Sequence, residues 1–274
     1  HRQGLGFAVK QSAMPGASLV AGLALPAIAL TLGWRWVFVL GATVAGAAML
    51  LVRHRLPVDE PRSRAHARAA AQEDPPPRGA LGSLAVAAAF STAAAITLGG
   101  FFVESAIDAG IDTGMAGLAF AAGSLISIVV RLGVGVVADR RPGNLLGVVA
   151  AMIALGALTS VWFTWRSPAV QLIGVPLAFG AGWAWPGLFN LSVVRAAPGF
   201  PGRATGITQT GTYVGGAAGP VLFGAVAQSA GYTAAWWLAA LLGLGAAGAV
   251  LVGRAVLTGR AVVGSRSGSP APPG

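Results

Sequence analysis

Acidic residues are so scarce in this chain that each one is a candidate for chemistry. Only eight Asp and Glu residues occur among 274, against 18 Lys and Arg. One of them, Asp139, lies in the stretch GVGVVADRRPG at positions 133–143, directly before Arg140 and Arg141. Arg131 precedes Asp139 by about two helical turns. At the end of its helix Asp139 needs a cation or hydrogen-bond donors, supplied either by Arg140, Arg141 or Arg131 or by the N-terminus of a neighbouring helix. A carboxylate that can exchange ion-pair partners can bias an equilibrium between two conformations.

Polar side chains inside long apolar stretches form a second group of candidates, because such residues are costly there unless they have a function. Two amides, Gln11 and Gln209, each begin a run with the spacing of one helix face. The members of the two faces are Gln11, Pro15, Ser18 and Gly22, and Gln209, Tyr213, Gly216 and Pro220. Both faces are predicted to line a cavity, and ordinary small-residue packing between helices is the alternative.

Two charged residues each allow two interpretations of their role. Lys10 lies about one turn inside its apolar stretch, where it either binds a substrate carboxylate or extends to the lipid headgroups. Glu104 ends a stretch after GGFFV, where it either carries a proton or faces water at the membrane interface.

The stretch GAGWAWPGLFN contains aromatic and polar candidates around a proline. Trp185 and Asn190 flank Pro186, and a proline-broken helix frees carbonyl groups that can line a cavity. Trp183 and Trp185 are two residues apart, so only one of them is expected to face inward. Anchoring of the tryptophans at the membrane interface is the alternative.

The composition indicates which elements position these residues. Hydrophobic residues make up 55% of the chain and charged residues 9%, and the mean hydropathy is +0.73, which is typical of a membrane protein. The net charge of +10 lies in short segments between apolar stretches, so a nucleic-acid partner is not expected. The chain has no cysteine and three histidines. We therefore expect no metal, no cofactor and no enzymatic activity.

Eight apolar stretches are long enough to span a membrane. They cover residues 7–30, 36–52, 81–104, 114–137, 145–164, 169–193, 205–227 and 234–253. If residues 53–80 are cytoplasmic, only Arg35 and Arg166 of the basic residues fall on the outer side. This bias predicts that both ends of the chain are cytoplasmic and that the protein lies in the cytoplasmic membrane.

The chain divides at a segment rich in charge and proline. We predict two helices in residues 1–53, a cytoplasmic linker over 54–79, six helices in 80–258 and a disordered tail over 259–274. A shift of 198 residues aligns Gln11 with Gln209 and Gly33 with Gly231. Parallel repeats of six helices would give this offset. The first two helices would then be the fifth and sixth of a first half, so we expect four helices before His1.

Four stretches resemble the major facilitator superfamily of transporters. GVVADRRPG is similar to its loop signature G-x-x-x-D-R-x-G-R at Gly135, Asp139, Arg140 and Gly143, with Asn144 in place of the last basic residue. The other three stretches are GFAVKQSAMPG with LGWRWVF, GAGWAWPGLFNLSVVR, and RATGITQTGTYVGGAAGPVLFG. The resemblance implies an all-α polytopic membrane protein of about eight transmembrane helices, corresponding to helices 5–12 of a twelve-helix fold.

The resemblance also implies a function: secondary active transport of a small solute through a lipid bilayer by alternating access. Proton-coupled efflux of drugs or metabolites is an alternative, although GLALPAIA departs from the G-P-x-x-G-G pattern of drug–proton antiporters. A non-transporting sensor on the same fold is another. In the family, the cluster around Asp139 acts as a latch on the inner side; the competing interpretation is that Arg140 and Arg141 only hold the loop inside.

Overall fold

The computed structural model describes residues 2–53, 78–141 and 143–267, and every regular element in these ranges is a helix. The elements are α1 (Gln3–Gln11), α2 (Ala13–Ala24) with a π-helical turn (Leu25–Ala29), α3 (Arg35–Arg53), α4 (Arg78–Asp108), α5 (Thr113–Arg140), α6 (Leu145–Trp162), α7 (Pro168–Leu177) with a second π-helical turn (Ala178–Gly182), α8 (Pro186–Ala196) and α9 (Pro201–Ser267). The linker prediction falls on residues 54–77, which lie outside the described ranges, and residues 78–79 belong to α4. The helix α9 continues through 259–267.

Within the described ranges, six helical stretches are long and apolar enough to cross a membrane. The last, Pro201–Gly259, has about twice the length that one crossing needs, and it is interrupted at Gly231, where φ is 81° and ψ is 168°. Two arms result, over 201–230 and 232–267. The helix α3 is a further apolar element. The prediction of an all-α polytopic membrane fold is confirmed.

Local sequence explains where the helices begin. The Asp112 carboxylate accepts the backbone N–H groups of Gly114 and Met115 at 2.9 and 3.1 Å and caps α5. Asn144 caps α6 by accepting the N–H of Gly147 at 3.0 Å. The first residue of α7, α8 and α9 is a proline, whose preset φ suits that position.

Glycines form the sharp turns between two pairs of membrane-spanning helices. Gly33 and Gly231 both have positive φ, 101° and 81°. A residue with a Cβ would be strained in this conformation. These two glycines are the pair that the 198-residue shift aligns, so a glycine with positive φ occurs at both copies of the proposed repeat.

The first arm of α9 packs parallel to α4 through glycines. Gly211, Gly215 and Gly219 lie against Ala85, Ala89 and Ala93, respectively. A Cβ on Gly215 would lie 1.9 Å from the Ala89 carbonyl oxygen, so the backbones are in direct contact.

The helices α1 and α2 pack antiparallel to α5. Gly4 lies against Gly135 near one end of this contact, and Gly22 lies against Gly117 near the other. This packing determines which residues of α1 and α5 meet.

Candidate functional site

A cavity of about 440 Å³ lies between α1 and α2 on one side and the helices α4, α5, α8 and α9 on the other. The residues of its wall are Lys10, Gln11, Ala13, Met14, Thr92, Ala95, Ile96, Arg131, Trp183, Trp185, Pro186, Phe189, Asn190, Gln209, Thr212, Tyr213 and Gly216. Its volume lies within the usual range for small-molecule sites. No acidic residue contributes to this wall.

The structure brings together six residues that the sequence suggested for a substrate pathway. These residues are Lys10, Gln11, Trp185, Asn190, Gln209 and Tyr213. Lys10 and Tyr213 are exposed, whereas Trp185 is only 3% exposed. Their positions share a cavity, and their role in transport stays a prediction.

Arg131 differs most from its predicted setting. It is 4% exposed and lines the cavity. Its Nη1 donates to the Gln11 carbonyl oxygen at 2.5 Å, its Nη2 donates to the Trp183 carbonyl oxygen, and its Nε lies 3.3 Å from the Ser127 hydroxyl. Arg131 is therefore held by neutral partners and forms no ion pair with a described residue.

Irregular helix geometry explains why these carbonyl groups are free to accept. In a regular helix the Gln11 carbonyl would accept the N–H of residue 15, but Pro15 has none. The Trp183 carbonyl lies in the break between the second π-helical turn and α8, which begins at Pro186. Arg131 thus joins two irregular helix segments through the carbonyl groups of Gln11 and Trp183, which lie 172 positions apart in the sequence.

Asp139 makes its contacts at the opposite end of α1. Its carboxylate accepts the backbone N–H of Gly4 at 2.7 Å and that of Leu5 at 3.0 Å. Arg195 lies 3.5 Å from Asp139 Oδ1, and its Nη1 donates to the Ala138 carbonyl oxygen at 3.1 Å. The side chain of Asp139 is 12% exposed. The positive end of the α1 dipole and one guanidinium therefore stabilise this carboxylate.

The contact between Asp139 and α1 depends on glycine. A Cβ on Gly4 would lie 2.5 Å from the Gly135 carbonyl oxygen and 2.9 Å from Asp139 Oδ1. A Cβ on Gly135 would lie 2.7 Å from the Ala8 Cβ. Side chains at either position would force α1 and α5 apart and break both backbone hydrogen bonds.

The remaining predicted residues lie away from these contacts. Arg140, Arg141 and Gly143 are exposed at the end of α5 and the start of the following turn. Among the described residues, the ion pair of Asp139 is with Arg195, so Arg140, Arg141 and Arg131 are not its partners. Glu104 is exposed near the end of α4, outside the cavity.

Two expectations about helix faces are wrong. Trp183 and Trp185 both line the cavity, because residues 178–185 form a π-helical turn and a further turn instead of a regular α-helix. On α2, Pro15 and Gly22 are buried and do not line the cavity, and Gly22 packs against α5.

Arg195 was missed as the ion-pair partner of Asp139, since it lies 56 residues away in the sequence. One feature of the sequence could have indicated Arg195: it is a basic residue in the last turn of a helix, where its charge also complements the helix dipole. The sequence also contained a sign that Arg131 does not pair with Asp139. The two residues are eight positions apart in one helix, which corresponds to about 12 Å along its axis. In residues 2–53, 78–141 and 143–267, no three His, Asp or Glu side chains form a potential metal site.

A sequence model described as Major Facilitator Superfamily matches residues 1–220. No curated protein and no solved structure matches the chain significantly. The family match covers well over half of the chain, and the helical multi-pass architecture agrees with it. The protein therefore belongs to the major facilitator superfamily, and it is a membrane transporter of that type.

Proposed function

We propose that this transporter moves a small organic anion across the cytoplasmic membrane by alternating access. The observation that supports the proposal most directly is a buried arginine in the wall of a cavity that has no acidic residue. The solute binds between the pair α1–α2 and the helices α4–α9. The distribution of arginines along the sequence favours a cytoplasmic position for both ends of the chain.

Arg131 supports the proposal that the solute carries a negative charge. A buried guanidinium is costly unless its charge and its donors are satisfied. Three of its five N–H groups donate to neutral oxygens, so two remain available. Lys10 adds a second positive charge to the wall. A carboxylate in the cavity supplies both the missing negative charge and the acceptors, and Lys10 either binds it directly or extends to the headgroups.

The solute also has an apolar part. Trp183, Trp185 and Phe189 are each less than 5% exposed and line the cavity. Ile96 and Met14 contribute further apolar surface. An aromatic or branched carboxylate suits a wall with cations and large apolar rings.

Asp139 controls access from its own end of the helices. Two hydrogen bonds from α1 to an ionised acceptor hold α1 against α5 and close this end. Opening requires water to replace these bonds, and the polar groups of both partners allow that exchange. This mechanism competes with the interpretation that the basic loop only sets the topology.

Matched neutral and anionic compounds test the charge of the solute. The purified protein is screened by thermal shift with benzoate against benzamide and with phenylacetate against phenylacetamide, and each carboxylate that binds is tested for counterflow in proteoliposomes. We expect the carboxylates to stabilise the protein and the amides to have no effect. Arg131→Gln should weaken carboxylate binding by about thirtyfold or more, because it removes a buried charged partner, and Arg131→Lys should weaken it less.

Arg203→Gln serves as the control, since Arg203 is exposed and outside the cavity. Equal stabilisation by amides and carboxylates contradicts an anionic solute. Binding of a carboxylate without counterflow contradicts transport of that anion and favours a sensor.

A further inference from the structure

A second cavity lies at the end of the helices that holds Asp139. Its volume is about 430 Å³, and it is an open pocket lined by the start of α6, the end of α8 and the second arm of α9. Asn144, Leu146, Ser192, Arg195, Arg254 and Leu257 are among the residues of its wall. It shares no residue with the cavity around Arg131.

The charges in this wall favour an anion. Arg195 and Arg254 are its charged residues, and no carboxylate belongs to it. In the described part of the chain, the Arg254 guanidinium makes no hydrogen bond or ion pair, and Arg195 uses two of its nitrogens for Ala138 and Asp139. Two guanidinium groups with unused donors match a group with several acceptor oxygens, such as a phosphate ester.

The position of Arg254 places the cavity at the level of lipid headgroups. Arg254 follows the break at Gly231 by 23 residues of the second arm, a length of about 34 Å. The hydrocarbon layer is about 30 Å thick. Leu145, Leu146 and Leu257 supply apolar surface beside the arginines. Basic pockets between transmembrane helices at this depth bind anionic lipid headgroups.

We propose that this cavity binds a phosphate ester, held by Arg254 and Arg195. The ester belongs either to an anionic glycerophospholipid or to a soluble phosphate metabolite. The apolar residues and the depth favour the lipid. The proposal concerns binding alone and does not depend on which solute the protein transports.

Two probes, phosphatidylglycerol and glycerol 3-phosphate, distinguish a lipid from a soluble phosphate ester, and phosphatidylcholine serves as the comparison without net charge. The purified protein is incubated with palmitoyl-oleoyl phosphatidylglycerol, with the corresponding phosphatidylcholine, or with glycerol 3-phosphate, and bound ligand is counted by native mass spectrometry. We expect one phosphatidylglycerol to be retained in preference to phosphatidylcholine. Arg254→Gln should reduce its retention by about fivefold, the effect of one basic residue near a membrane surface, and Arg254→Lys should retain part of it.

Arg203→Gln is the matched control, because Arg203 is an exposed arginine on the first turn of α9, outside the cavity. Retention of glycerol 3-phosphate that is lost in Arg254→Gln supports the soluble source. If neither probe is retained, or if Arg203→Gln weakens retention as much as Arg254→Gln, the proposal is overturned. Size-exclusion profiles of the variants verify that each is folded.

Discussion

Two helix contacts of this transporter both depend on glycine but are chemically different. Between α4 and the first arm of α9 (201–230), Gly211, Gly215 and Gly219 bring two backbones together, and among the described residues no side-chain hydrogen bond crosses this contact. Between α1 and α5, Gly4 and Gly135 also allow the backbones to approach, but Asp139 and Arg131 add hydrogen bonds between the two elements. Glycine explains the closeness of both contacts, and the polar groups explain why we expect only the second to open during transport.

The largest effect is expected at the apolar contact. In Gly215→Ala, the new Cβ would lie 1.9 Å from the Ala89 carbonyl oxygen, so α9 must move away from α4. We expect a loss of about 1–3 kcal/mol in stability, typical of an overpacked interior, measured as a lower melting temperature of the detergent-solubilised protein. Gly206→Ala, on the same helix with nothing within 4 Å of the new Cβ, should leave it unchanged. A loss in Gly206→Ala as large as that in Gly215→Ala would mean that the contact with α4 is not its cause.

The next largest effect is expected from Asp139→Asn. The amide accepts backbone N–H groups less strongly than a carboxylate and loses the attraction of Arg195. We expect transport to fall by roughly tenfold, a typical magnitude for coupling between two states, with normal membrane insertion. Uptake into proteoliposomes measures this change, and Asp108→Asn is the matched acidic control. Unchanged uptake in Asp139→Asn would favour the topology interpretation.

A smaller effect is expected from Gly4→Ala, which separates α1 from α5 without removing a charge. The Cβ would lie 2.5 Å from the Gly135 carbonyl oxygen. We expect the Asp139 end to be open more often. The chain has no native cysteine, so a single cysteine introduced as Thr212→Cys in the cavity can be labelled with a membrane-impermeant thiol reagent. The rate of labelling from the Asp139 side measures how often this end is open. We expect this labelling rate to rise a few-fold in Gly4→Ala (about 1 kcal/mol or less). The control Gly6→Ala meets nothing within 4 Å; a rise in that variant too would assign the effect to α1 itself.

The smallest effect is expected at the other end of the helices. Arg166 and Asp108 form an ion pair at 2.9 Å, with side chains 56% and 39% exposed. Solvent screens such pairs, so Arg166→Gln should change stability by less than about 1 kcal/mol. A melting temperature that falls as far as in Gly215→Ala would show that this surface pair matters more than a buried helix contact.

Glu104 remains a prediction as a proton carrier. Its exposure and its position outside the cavity offer no enclosed path to the solute. The pH profile of uptake in Glu104→Gln measures its role directly.

Prediction from sequence succeeded where the signal is local. The apolar stretches are helices because length and hydropathy decide membrane insertion one segment at a time. Gln11 and Gln209 were found in the same way, as polar residues in apolar surroundings, and both lie in the cavity wall. The paired turns at Gly33 and Gly231 were visible as aligned glycines.

Prediction failed where the helix is irregular. The faces of α2 and of residues 178–185 were predicted from a spacing of 3.6 residues per turn. The second π-helical turn changes that spacing, so both tryptophans line the cavity, and on α2 the packing of Gly22 against α5 takes it away from the cavity.

The sequence by itself determined that this chain crosses a membrane repeatedly as helices, because each apolar segment must satisfy its own backbone hydrogen bonds in lipid. It also showed that Asp139 needs donors near its helix end. Only the tertiary structure decided which donors these are, and that Arg131 lies in a cavity and not beside Asp139. The reason is physical: the partners, Gly4, Leu5, Gln11 and Trp183, are 52 to 135 residues away, and helix packing alone brings them together.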